Sequence, residues 1–167
     1  MIEFMVIGLP RSGTTWAANW LTTERTHCLH DPLYRYHYTQ LDSIPSAKIL
    51  GVSCTGLWAF PEWVNEHPAR KVILHRDTAE INASLKSLGL PAWPSTYCPI
   101  DDLRGEHHHW RDIFDRPEEI YTFLTGLPFD AVRHAELVKM NIQPSNAVIQ
   151  DLTVTKRLLK ELAQCRW

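Results

Sequence analysis

A loop that opens at Gly8 and closes at Gly13 constrains this chain more than any other feature, because of what flanks it. The apolar run from Ile2 to Ile7 is too short for anything but a strand. The segment from Thr14 to Leu21 has helical composition and no breaker, so the opening reads strand, glycine loop, helix, the start of a βαβ unit. A later stretch repeats the design. Arg70 to His75 holds a continuous Val-Ile-Leu run of the kind buried on both faces of a parallel sheet. Asp77 or Thr78 then caps a helix carrying Ile81, Leu85 and Leu88 on one face.

Between and after these units the punctuation is softer. A short strand or loop is expected near His27 to Leu29, an extended segment from Lys48 to Ser53 and a short helix from Pro61 to Glu66. Gly89 to Gly105, rich in Pro and aromatics, reads as an irregular loop and a candidate lid. Pro117 to Leu124 and Ala131 to Val138 read as helices, Asn141 to Gln143 as a short strand, and Thr153 to Leu162 as a closing helix. Strands alternating with helices predict a three-layer α/β/α sandwich with a mainly parallel central sheet, P-loop NTPase-like, in which ligands bind at the carboxyl ends of the strands. With 167 residues, one domain over 1–167 is expected.

Composition narrows the partners. Hydrophobic residues at 44% and charged residues at 22% are ordinary for a globular chain. A formal charge of −2 argues against nucleic acid as a partner, since that surface needs a basic stripe, so any anion site must be local. No apolar run is long enough for a bilayer, no signal-peptide pattern opens the chain, and Cys28, Cys54, Cys98 and Cys165 form no CxxC pair. Reduced thiols, a cytoplasmic setting and no membrane association are the expectation.

The loop Gly8-Leu9-Pro10-Arg11-Ser12-Gly13-Thr14-Thr15-Trp16 sits where a phosphate-binding loop must, after a strand and before a helix. Its backbone N–H groups and the positive helix end can face an anion, with Gly13 allowing close approach and Thr14 and Thr15 adding hydroxyls. Against the nucleotide-hydrolase pattern G-x-x-x-x-G-K-[ST], Gly8, Gly13 and Thr15 fit, but Thr14 stands at the lysine position. The cation of this loop is instead Arg11. Pro10-Arg11-Ser12-Gly13-Thr14-Thr15-Trp16 resembles the P-[KR]-S-G-T-T-W loop of sulfotransferases that use 3′-phosphoadenosine 5′-phosphosulfate. That resemblance implies that residues Pro10 to Trp16 hold this co-substrate and that Arg11 stabilises the leaving phosphate, with no metal required. The family also carries a strand followed by Arg, seven residues and Ser, a pair that grips the 3′-phosphate. Arg76 and Ser84 match that spacing, and an Arg fork at a strand end suits phosphate. The competing reading pairs Arg76 with Asp77 or Glu80. The Arg-Lys-Gly segment that completes the 3′-phosphate site in cytosolic animal members is missing after Gly89; on charge alone, Arg104 or Arg111 stands in for it.

Sulfuryl transfer also needs a base for the acceptor, a small molecule or sugar bearing a hydroxyl or amine. In the family the base is a His or an acidic residue. Here His30-Asp31-Pro32 occupies the corresponding region, with Asp31 the first choice and His30 the second; the competing reading is a turn begun by Asp31-Pro32. Ser53-Cys54-Thr55 ends another strand and can line the pocket. Glu106-His107-His108-His109 lacks the spacing of a metal site and reads as a solvated polar segment. Trp58, Phe60, Trp63, Trp93 and Trp110 serve either packing or an acceptor or adenine pocket. Two rival functions stay open: a small-molecule kinase with a degenerate loop, which would need ATP and Mg²⁺, and a nucleotide-binding protein without turnover.

Overall fold

In the computed structural model of the chain, residues 1–94 and 98–140 are described. Their centre is a five-stranded sheet in the order β2-β3-β1-β4-β5, formed by β1 (Phe4–Gly8), β2 (Thr26–His30), β3 (Ile49–Cys54), β4 (Arg70–His75) and β5 (Glu106–His109). All four ladders are parallel, for example Val6 opposite Ser53 on one side and Val72 on the other. The central strand β1 is buried at every position.

Helices cover both faces. On one, α2 (Pro61–Glu66) and α3 (Thr78–Ser87) contribute Val64, Ile81 and Leu85 to a core with Met5, Ile7, Val52 and Ile73. On the other, α1 (Thr14–Trp20), α4 (Asp112–Asp115), α5 (Pro117–Thr125) and α6 (Ala131–Lys139) pack residues such as Ala17, Trp20, Ile113, Ile120 and Leu124 against Phe4, Val6, Val72 and Leu74. The alternation along β1, with Phe4 and Val6 on one face and Met5 and Ile7 on the other, is the pleat feeding two cores. The result is an α/β/α arrangement.

Local chemistry fixes the ends of these elements. Asp77 caps α3 by accepting from the Ala79 N–H at 2.7 Å. Arg133 of α6 caps α1 from outside, donating to the carbonyls of Trp20 at 2.5 Å, Asn19 at 2.9 Å and Thr22 at 2.7 Å. Gly51 of β3 leaves room for Phe4: a Cβ there would lie 2.0 Å from the ring.

One expectation is corrected. Glu106–His109 is an edge strand, not merely a solvated polar segment; His108 is buried, with Glu106 at 3.3 Å and Asp112 at 3.5 Å from its ring nitrogens. The described parts of the 89–105 stretch are largely irregular and are anchored to the core. Leu90, Trp93, Ile100 and Leu103 are buried in the core on the α3 face, and residues 99–102 form a single 3₁₀ turn. The strand expected over 141–143, the helix over 153–162 and Cys165 lie outside the described residues. Among the described residues no helix is long and apolar enough to cross a membrane.

Candidate functional site

The carboxyl ends of β1, β4, β2 and β3 present almost every residue singled out above. Between β1 and α1 the loop turns through two left-handed residues, Arg11 at φ 69° and Gly13 at φ 87°. Gly13 accepts this conformation without penalty, whereas Arg11 holds it under strain of the kind kept at ligand loops. Gly13 is also the residue at which α1 starts, so no side chain caps the helix. Between the two sits Ser12, fully buried; among the described residues its Oγ is the buried side-chain polar atom without a hydrogen-bond partner. A buried hydroxyl left unpaired costs about 1–3 kcal/mol, and such an orphan in a loop of this shape fits an anion-binding cradle.

Arg11, Ser84 and Arg76 come together. Arg11 Nε donates to Ser84 Oγ at 3.0 Å, joining the loop to the middle of α3. Arg76 Nη1 donates to the Arg11 carbonyl. The alternative partner of Arg76 is present too, since its Nε lies 3.1 Å from Glu80 Oε2. The same carboxylate oxygen accepts from Trp110 Nε1 at 3.2 Å, and the Arg76 guanidinium lies 4.3 Å above the Trp110 ring. Trp110 was legible only as one aromatic among several; its place follows from β5, because its N–H extends the ladder to the His75 carbonyl at 2.8 Å. Trp16 packs its ring against Phe114, 4.6 Å between centroids, and against Trp20. A cleft of about 300 Å³ opens beside Arg76, lined by Leu9, His75, Thr78, Trp93 and Asp101.

On the other side of the loop, a chain of polar groups runs across the ends of β2 and β3. Asp31, in the left-handed region at φ 42° and only 8% exposed, accepts through Oδ1 from the Thr55 N–H at 2.6 Å and from the Thr55 hydroxyl at 3.0 Å. Its Oδ2 lies 3.3 Å from His30 Nε2, which in turn is 3.1 Å from Thr15 Oγ1 in the loop. The His30 side chain is 27% exposed against 9% for Asp31, so His30 is the member of the pair that solvent and ligands reach. Ser53 donates to the Thr14 carbonyl at 2.8 Å, tying β3 to the start of α1.

Burial shifts the thiols of this region toward the protonated form. Burial raises the Cys28 thiol far above its usual range; burial and then the nearby Asp31 charge do the same to Cys54, and burial lifts Cys98 to about 11. Among the described residues no group of His, Cys, Asp and Glu is arranged to hold a metal ion.

No family model, no curated protein and no solved structure matches this chain.

Proposed function

We propose that this protein is a sulfotransferase of P-loop-like fold that transfers a sulfuryl group from 3′-phosphoadenosine 5′-phosphosulfate to a hydroxyl or amine. The observation that carries the reading is the convergence of Arg11, Ser84 and Arg76, three residues from separate segments that the resemblance requires at one site. The unpaired Ser12 hydroxyl beside them fits a phosphate-bearing ligand.

The donor supplies an activated S–O bond to its 5′-phosphate; this bond breaks as the acceptor oxygen or nitrogen bonds to sulfur. Arg11 stabilises the charge that grows on the departing phosphate oxygen. Arg76 and Ser84 hold the 3′-phosphate and so set the donor's register along the loop. His30 takes the acceptor's proton. Nε2 is hydrogen-bonded to Thr15 Oγ1 and lies 3.3 Å from the Asp31 carboxylate, so the scheme puts the proton on Nε2 and the lone pair on Nδ1, the atom that receives the acceptor's proton. Asp31 orients that tautomer and stabilises the imidazolium. It is a positioning residue in this scheme, because both its oxygens are engaged by Thr55 and His30.

Calorimetric titration with adenosine 3′,5′-bisphosphate, AMP and ATP plus Mg²⁺, repeated with Arg76→Ala, tests the reading. Binding that favours the 3′-phosphate and loses that preference in the variant supports it. No bisphosphate binding, or a preference for ATP with Mg²⁺, overturns it and returns the loop to a kinase-like function. Selective binding without transfer to any acceptor would leave a nucleotide-binding protein.

A further inference from the structure

We propose that His75, His107 and Asp101 form a one-proton relay that latches the edge strand β5 to β4 at the mouth of the cleft, and that a second proton opens the latch. The proposal does not depend on what the Gly8–Gly13 loop binds.

Donor and acceptor capacity fixes where the protons are. His107 Nε2 lies 2.8 Å from the Leu103 carbonyl, which can only accept, so Nε2 carries a proton. A neutral His107 then has its lone pair on Nδ1, and His75 Nε2 donates to it at 2.7 Å. The ring centres are 5.0 Å apart and the planes 21° from parallel, so the two nitrogens meet edge to edge between the rings. His75 Nδ1 remains, 3.3 Å from Asp101 Oδ1. A first proton placed there turns a contact between two acceptors into an ion pair and leaves the bond to His107 intact. A second proton has His107 Nδ1 to occupy. Two N–H groups would then face each other across 2.7 Å, and the contact must part.

The surrounding groups leave the relay to titrate by itself. Among the described residues the charges that bear on His75 are His107 of β5 and Asp101 of the 3₁₀ turn. Of the other titratable residues lining the cleft, Arg76 is engaged by Glu80 of α3 and by the Arg11 carbonyl, and Cys98 is kept protonated by burial. Asp77 caps its own helix. On β5, His109 Nδ1 accepts from the Arg111 N–H at 3.4 Å, and His108 lies between Glu106 and Asp112. Asp101 is 80% exposed, so its hold on the first proton is weak and burial keeps His75 below 6.5. The second proton meets a like charge and binds at lower pH still. The latch is therefore closed at neutral pH and opens in acid.

Connectivity sets what the latch controls. His75 and Asp101 both line the cleft. β5 runs directly into Trp110, whose N–H continues the ladder to the His75 carbonyl and whose ring lies under the Arg76 guanidinium. Parting β5 from β4 at His107 loosens a wall of the cleft and the aromatic support of Arg76 together.

NMR of the imidazole nitrogens through an acid titration tests the relay in wild type, His107→Gln and Asp101→Asn, with hydrogen exchange read at the Trp110 amide and corrected for its intrinsic pH dependence. Above the first step both rings should be neutral with the proton on Nε2. His75 should take the first proton and His107 the second, about one pH unit or more lower. Protection of Trp110 should fall about tenfold or more across the second step. His107→Gln keeps an acceptor for His75 but takes up no proton, so Trp110 should stay protected through the same range. Asp101→Asn should move the first step to lower pH. A proton on Nδ1 of neutral His107, protonation of His107 before His75, or Trp110 protection lost equally in His107→Gln overturns the proposal. Acid unfolding that His107→Gln does not postpone overturns it as well.

Discussion

Arg11 Nε and Ser84 Oγ lie 3.0 Å apart although 73 residues separate them in the chain. The bond fastens a loop held in left-handed geometry to the middle of α3, so the cation's position depends on a helix from the opposite face of the sheet. Ser84→Ala removes one hydrogen bond of about 1 kcal/mol, which should lower the melting temperature by about 2–4 °C in a chain of this size. Bisphosphate affinity should fall further than AMP affinity. A variant with unchanged melting and unchanged affinities would show that the bond holds nothing.

Asp31→Asn keeps the shape of the His30 partner but removes its charge and permits the wrong imidazole tautomer. Turnover with a competent acceptor should drop by about 10²–10⁴ while bisphosphate affinity stays within a factor of about two. If turnover survives Asp31→Asn but not His30→Gln, Asp31 is only a turn residue.

His75 lies against His107, ring nitrogens 2.7 Å apart, with Asp101 at 3.3 Å. Burial, and then the charge of His107, hold His75 below its ordinary 6.5, and Asp101 only partly offsets them. An imidazole whose folded value is depressed binds fewer protons in the native state than in the unfolded one. Its contribution is therefore intact above 6.5 and is lost as pH falls from there through the folded value. NMR titration should place His75 below its usual range, and His107→Gln should move it upward. No movement would assign the shift to burial alone.

Gly51→Ala should be among the most destabilising single methyl additions, because the new Cβ would sit 2.0 Å from a fully buried Phe4 ring. A cost of about 3 kcal/mol is expected, read by denaturant titration. Combining it with Phe4→Leu should return part of the loss; a double variant no better than the sum of the singles would mean that the backbone, not the ring, yields.

Much of this was legible in the chain. β4 announced itself because a strand covered on both faces must be apolar throughout, and α3 because Asp77 and the Ile81–Leu85 spacing mark its start and its buried face. The loop was legible because its glycines and its flanking elements are local features. β5 was not: an edge strand pairs on one side only, so Glu-His-His-His carries no apolar signature, and its pairing with β4 is fixed by topology. For the same reason the sequence showed Asp31 and His30 only as neighbours. The grip of Thr55 on Asp31 depends on β2 and β3 lying side by side, with His30 opposite Ser53. Trp110 gained its place beside Arg76 through that unrecognised fifth strand.

The all-parallel order of the sheet has a consequence for how the protein is made. During synthesis the Gly8–Gly13 loop emerges before β4 and α3, yet the carbonyl of Arg11 meets Arg76 only 65 positions later and its guanidinium meets Ser84 later still. Neither contact can close until β4 and α3 have emerged, and parallel pairing of β1 with β4 must wait for the same stretch. The loop is thus completed late although it is encoded before its partners, and a newly made chain passes through an interval in which its most distinctive loop lacks the contacts of β4 and α3.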